Sequence, residues 1–129
     1  MEAGKKDIMY TDNIVRMFGE QNLEKFSYAV DRSREIASKI SAEGIISVLN
    51  GMIARPSRVG FMEEGWVPCL WILGAYDRYI PCEAIQQKVC LPLNAKAVIL
   101  EQSGHMGFVE EEERAAEVIT RFVERLGTW

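Results

Sequence analysis

VPCLWILGAYDRYIP, residues 67–81, is the stretch on which the fold turns. Residues 67–74 form an unbroken apolar run closed by Gly74. The run is short for a helix and has no polar alternation, which suits a strand buried on both faces, as strands of parallel sheets are. Downstream, AKAVILEQ at 95–102 reads as a second strand. Residues 82–91 between them carry a weak helical pattern, with Glu83 near its start and Pro92 and Asn94 after it. VEEEERAAEVITRFVERL, 109–126, is the clearest helix: Val118, Ile119, Phe122, Val123 and Leu126 share one face. Glutamates 110–113 suit its positive N-terminal end, and Arg121 and Arg125 its C-terminal end. Strand, helix, strand, helix predicts a parallel pair joined by a right-handed crossover, hence an α/β fold.

Upstream the texture is helical. Asn22 is a candidate N-cap for a helix with Leu23, Phe26, Val30, Ala37 and Ile40 on one stripe. Ser41 is a second candidate cap, followed by Glu43 and an apolar face of Ile45, Leu49, Met52 and Ile53. Pro56 ends that helix, because proline disfavours the helical conformation at Arg55. SRVGFMEEGW, 57–66, reads as a surface connection. The chain thus divides into a helical segment, 1–40, and an α/β segment, 41–129.

The bulk properties narrow the class. A chain of 129 residues holds one domain or a large piece of one, and a net charge of −4 offers no basic face for nucleic acid or an anionic membrane. No apolar run reaches the ~20 residues of a membrane span, and MEAGKKDIMY lacks a signal peptide's apolar core. Three cysteines without framework spacing predict free thiols in a reducing cytoplasm. A single histidine, with Cys82 and Cys90 eight residues apart, makes no zinc set, and neither a metal nor a cofactor is expected.

Residues just beyond two parallel strands emerge on one edge of the sheet, where open α/β folds bind ligands. GAYD brings Asp77 to that edge and QSGH brings His105, the only histidine, to the same place. An aspartate bonded to one imidazole nitrogen fixes the ring's tautomer and stabilises the imidazolium formed when the ring takes a proton. The plainer alternative is that Asp77 is a turn former and His105 an ordinary loop residue.

From about Ala42 onward the sequence resembles the C-terminal half of an α/β-hydrolase. The likeness rests on EGIISVLNGMIARPSR, VPCLWILGAYDRYIP and AKAVILEQSGHMGFVEEEERAAEVITRFV. These supply the ordered set Pro68, Gly74, Asp77, Pro81, Gly104, His105 and Glu110. The resemblance implies that Asp77 is the acid of a Ser-Asp-His triad and His105 its general base. It also implies that residues 1–40 form a helical cap, and that the complete protein hydrolyses ester, lactone or related bonds of a small-molecule substrate. Phe18, Phe26, Met52, Met106 and Phe108 are candidates to line an apolar pocket between cap and core, with ordinary core packing as the alternative.

One member of the set is not in the sequence. The family's nucleophile stands on a Gly-x-Ser-x-Gly elbow. No serine here has glycine two residues before and two after it. Ser103 adjoins the base but sits on no elbow, Cys69 lies inside a strand, and Cys82 and Cys90 show no electropositive setting that would activate a thiol. Three expectations follow. The chain alone is inactive and works joined to a half that carries the serine and the oxyanion donors; or it is a non-catalytic binding or assembly module; or, least favoured, it is a stand-alone cysteine hydrolase. Two strands alone leave open edges, so self-association or docking onto an N-terminal hydrolase half is expected.

Overall fold

The computed structural model describes residues 12–88 and 91–126. It is a mixed α/β structure with a two-stranded parallel sheet. A helical turn at 12–17 and a 3-10 turn at Glu20–Asn22 lead into α1, Ser27–Ser38. Then come α2, Ala42–Ala54, and α3, Val59–Glu63. The sheet unit is β1, Cys69–Gly74, α4, Cys82–Lys88, and β2, Ala95–Leu100. Two helices close the chain, α5, Gly107–Glu110, and α6, Glu112–Leu126.

The strands pair in register from Cys69 with Ala95 to Gly74 with Leu100. Their last residues are the buried ones, Leu73 at the end of β1 and Leu100 at the end of β2. The sheet is therefore best covered at the edge from which the two loops leave. A core of Ile14, Phe18 and Val30, with Leu23, Phe26 and Met106 against it, sits beside that same edge. Phe18 is fully buried.

Local chemistry explains where several elements begin and end. Ser41 caps α2, its hydroxyl accepting from the Gly44 N–H at 3.1 Å. Arg55, before Pro56, turns extended and ends it. No residue of α2 is buried.

Three expectations need correction. Asn22 is not the cap of α1, which starts at Ser27; its side chain reaches instead to the histidine loop and to Glu110. The connection 57–66 contains the short helix α3. The last helix is not continuous from 109, because Glu111 leaves helical geometry (φ −133°, ψ 55°) between α5 and α6. Residues 1–11, within the expected cap, and Cys90 lie outside the described residues. Among the described residues no single helix is long and apolar enough to cross a membrane.

Candidate active site

Both loops leave the same edge and are stitched to each other. The Ala75 N–H donates to the Leu100 carbonyl at 3.0 Å, and the Tyr76 N–H to the Ser103 carbonyl at 2.9 Å. Gly74 permits this approach, since a Cβ on it would lie 2.0 Å from the Gly104 carbonyl oxygen; a Cβ on Gly104 would instead lie 2.6 Å from the Gly19 nitrogen of the N-terminal segment. A side chain at Gly74 drives the two loops apart, and one at Gly104 drives the histidine loop away from residues 17–19.

Asp77 and His105 meet across this seam. His105 Nδ1 stands 2.8 Å from Asp77 Oδ2. The aspartate side chain is only 9% exposed, the imidazole 34%. The other carboxylate oxygen, Oδ1, accepts from the backbone N–H groups of Tyr79 at 2.8 Å and Ile80 at 2.9 Å. An ionised carboxylate only accepts, so the proton between Asp77 and the ring belongs to Nδ1. Nε2 is then the basic nitrogen, and no described residue bonds it. Such a pair holds one tautomer, aims Nε2, and offsets positive charge on the ring if it takes a proton.

A second layer holds the pair. The Tyr79 ring lies 5.6 Å from the imidazole, tilted by 54°. Arg16 sits over the Tyr79 ring at 5.7 Å, and the Tyr79 hydroxyl donates to the Asn13 carbonyl at 3.0 Å. Arg78 donates to the carbonyls of Val15 and Phe18 at 3.4 and 3.3 Å. The Met17 carbonyl accepts from the N–H groups of His105 at 2.7 Å and Met106 at 3.1 Å. Segment 13–22 therefore touches both loops.

Glu110 needs a different account from the helix-dipole one. It is 5% exposed and accepts from three donors on two segments: the Gly19 N–H at 2.7 Å, Asn22 Nδ2 at 2.6 Å and the Gly104 N–H at 2.8 Å. Glu111 takes the Ser103 hydroxyl at 2.5 Å and the Gln102 N–H at 2.9 Å. Only Glu112 and Glu113 lie in the first turn of α6. Sequence reasoning misses Tyr79, Arg78 and Asn22 as site residues: the GAYDRYIP stretch points to Asp77 and Pro81 rather than to the residues between them, and Asn22 reads as a helix cap.

The apolar candidates are spread over three places. Phe18, Phe26 and Met106 belong to the core beside the loops. Phe108, 65% exposed, lines a groove of about 210 Å³ next to His105, with Ile72, Leu100 and Ile119. Met52 lines a different hollow of about 380 Å³, with Arg55, Arg58 and Trp71. Cys69 starts β1, so about 16 Å of strand separates it from the loop edge at ~3.3 Å per residue. Among the described residues no group of His, Cys, Asp and Glu side chains is arranged to hold a metal ion.

No protein-family model matches the sequence, and no curated protein matches it. Among the solved structures that match its fold are two esterases. One is a thermophilic esterase from Thermogutta terrifontis, solved with malate bound: TM-score 0.81, 19% identity, 95% of this chain and 45% of the esterase covered. The other is an esterase from Exiguobacterium antarcticum: TM-score 0.72, 18% identity, 94% of this chain and 44% of the esterase covered. At such identities the likeness is one of fold. The chain spans less than half the length of either esterase.

Proposed function

We propose that this chain is the acid- and base-bearing part of an α/β-hydrolase that cleaves ester-type bonds of a small molecule. In this reading Asp77 orients His105, and Nε2 takes the proton from a nucleophile and returns it to the leaving group. The observation that carries the reading is the 2.8 Å contact between His105 Nδ1 and a largely buried carboxylate fixed by two backbone N–H groups. The fold likeness to two esterases supports the bond class.

The sequence has no Gly-x-Ser-x-Gly elbow, so the serine and the oxyanion donors come from another polypeptide segment. Residues 1–40 serve as cap and 41–129 as the C-terminal part of the core. The groove beside His105, lined by Phe108, is the part of the apolar set best placed to meet substrate. Free thiols at Cys69 and Cys82 suit a reducing compartment such as the cytoplasm.

An ester-hydrolysis assay tests this. The chain alone is expected to show no turnover above buffer. Mixed with an N-terminal hydrolase half carrying the elbow, it is expected to turn over, and His105→Ala is expected to abolish that turnover. Robust activity of the chain alone would reveal another nucleophile. A correctly docked but inactive complex would favour the alternative, a binding or assembly module, which the exposed apolar surface of α2 also suits.

A further inference from the structure

We infer that Glu110 is a positioning residue that locks segment 13–22 across the Asp77 and His105 loops, so that the placement of this segment sets the orientation of the His105 ring. The inference rests on the reading of His105 as a base, and it extends that reading to how the base is regulated.

Three observations lead there. First, Glu110 is a nearly fully buried carboxylate that no step of proton transfer uses. All its donors are neutral N–H groups, two on the N-terminal segment and one on the histidine loop. A buried carboxylate is costly unless such donors surround it, so segment and loop are each held by the same group.

Second, the bonded atoms flank the base. Gly104 immediately precedes His105, and Met17 immediately precedes the residue before Gly19. The Met17 carbonyl takes the His105 N–H itself. The backbone of 17–19 thus lies flush on 104–106, so close that a Cβ on Gly104 would meet Gly19. Third, the far side of the same segment is tied to the acid loop through Arg78 and Tyr79. A shift of segment 13–22 pulls on both partners of the Asp77–His105 contact.

Glu110→Gln tests the lock in the intact chain. An amide must turn an N–H₂ toward one set of donors, so at least one hydrogen bond is lost and two donors are set against each other. Nitrogen-15 spectra of the imidazole and amide exchange rates read the result. In the wild type the ring is expected as the Nδ1–H tautomer with slow exchange at Gly19, Gly104 and His105. In Glu110→Gln those three amides are expected to exchange at least about tenfold faster. The ring is expected to become a mixture of tautomers, while Leu100 and Val118 amides keep their protection. Asn22→Ala removes one of the three donors to Glu110 together with the bond to the Gln102 carbonyl, and is expected to accelerate Gly104 exchange about threefold to tenfold. It keeps the test open if Glu110→Gln does not fold. Wild-type tautomer and wild-type exchange at Gly19 and Gly104 in a folded variant would overturn the inference. Neither readout uses turnover. An inactive complemented enzyme with an intact lock would sink the catalytic reading alone, and an active one with an indifferent Glu110 would sink the lock alone.

Discussion

A methyl group on Gly74 would sit 2.0 Å from the Gly104 carbonyl oxygen and 2.7 Å from that of Ser103, both backbone atoms that cannot swing aside. We expect Gly74→Ala to lower stability by about 3 kcal/mol, read from the urea midpoint. Gly51, inside α2 with nothing near its missing Cβ, supplies the contrast: Gly51→Ala is expected to raise stability by about 0.5–1 kcal/mol. At the pair itself, Asp77→Asn is informative because Oδ1 already faces two N–H donors. The asparagine carbonyl takes the place of Oδ1 and accepts from those N–H groups, so its N–H₂ points at His105 and turns Nδ1 into an acceptor. The ring proton then moves to Nε2. Nitrogen-15 spectra are expected to show the switched tautomer, and turnover of the complemented enzyme to fall on the order of 10⁴-fold. The meeting of Asp77 and His105 was legible in the sequence because strand order alone sends both loops to one edge. Glu110 was not, because a glutamate before a helix satisfies the dipole argument equally well, and only its burial among three donors distinguishes the two roles.

Elements were legible where their signals were chemical and local. Ser41 capping α2 and Pro56 ending it follow from side-chain and ring chemistry within a few residues. The break between α5 and α6 has no such signal: Glu111 is a good helix former, and it leaves the helix where its carboxylate reaches back to Ser103 and Gln102. Within α6, Glu117 bonds Arg114 at 2.8 Å and Arg121 at 2.6 Å. Its pKa is held below the ordinary glutamate value, first by the Arg114 hydrogen bond and then by the Arg121 charge. A folded-state pKa below the unfolded one gives stability that is present above the unfolded value and lost as pH falls through the folded value. The Glu117 carboxyl is thus expected to titrate at lower pH in the folded chain than in the urea-unfolded chain, read from carbon-13 spectra. Glu117→Gln is expected to reduce stability slightly at neutral pH and not at all once both forms are protonated. The pair is solvent-exposed, so the effect is small. A titration of Glu117 that is the same folded and unfolded would show the ion pairs to be transient in solution.

At the scale of the molecule, the two strands cover little. β1 and β2 satisfy each other along six residue pairs, and among the described residues each keeps an outer edge with no further strand. Val118 and Ala115 of α6 are buried, yet Ile119 and Val123 on the same apolar stripe are 47% and 57% exposed. Of the predicted stripe, Val118 is buried and Phe122 half-buried, while Ile119, Val123 and Leu126 are exposed. Ile53, Trp66 and Phe108 are likewise exposed. Phe108 and Ile119 line one groove, and exposed apolar groups gathered so are ordinarily covered by another surface. The esterases of the same fold have more than twice the length of chain aligned here, which accords with a covering half. We expect the isolated chain to self-associate, its light-scattering mass rising with concentration. Ile119→Lys with Phe108→Asp, both beside the groove next to His105, is expected to shift it toward monomer without loss of helical signal, since neither side chain is buried. Addition of an N-terminal hydrolase half is expected to do the same by occupying the same face, and the doubly substituted chain to bind that half less tightly. A wild-type chain that stays at monomer mass at high concentration would mean that solvent, rather than a partner, covers this face.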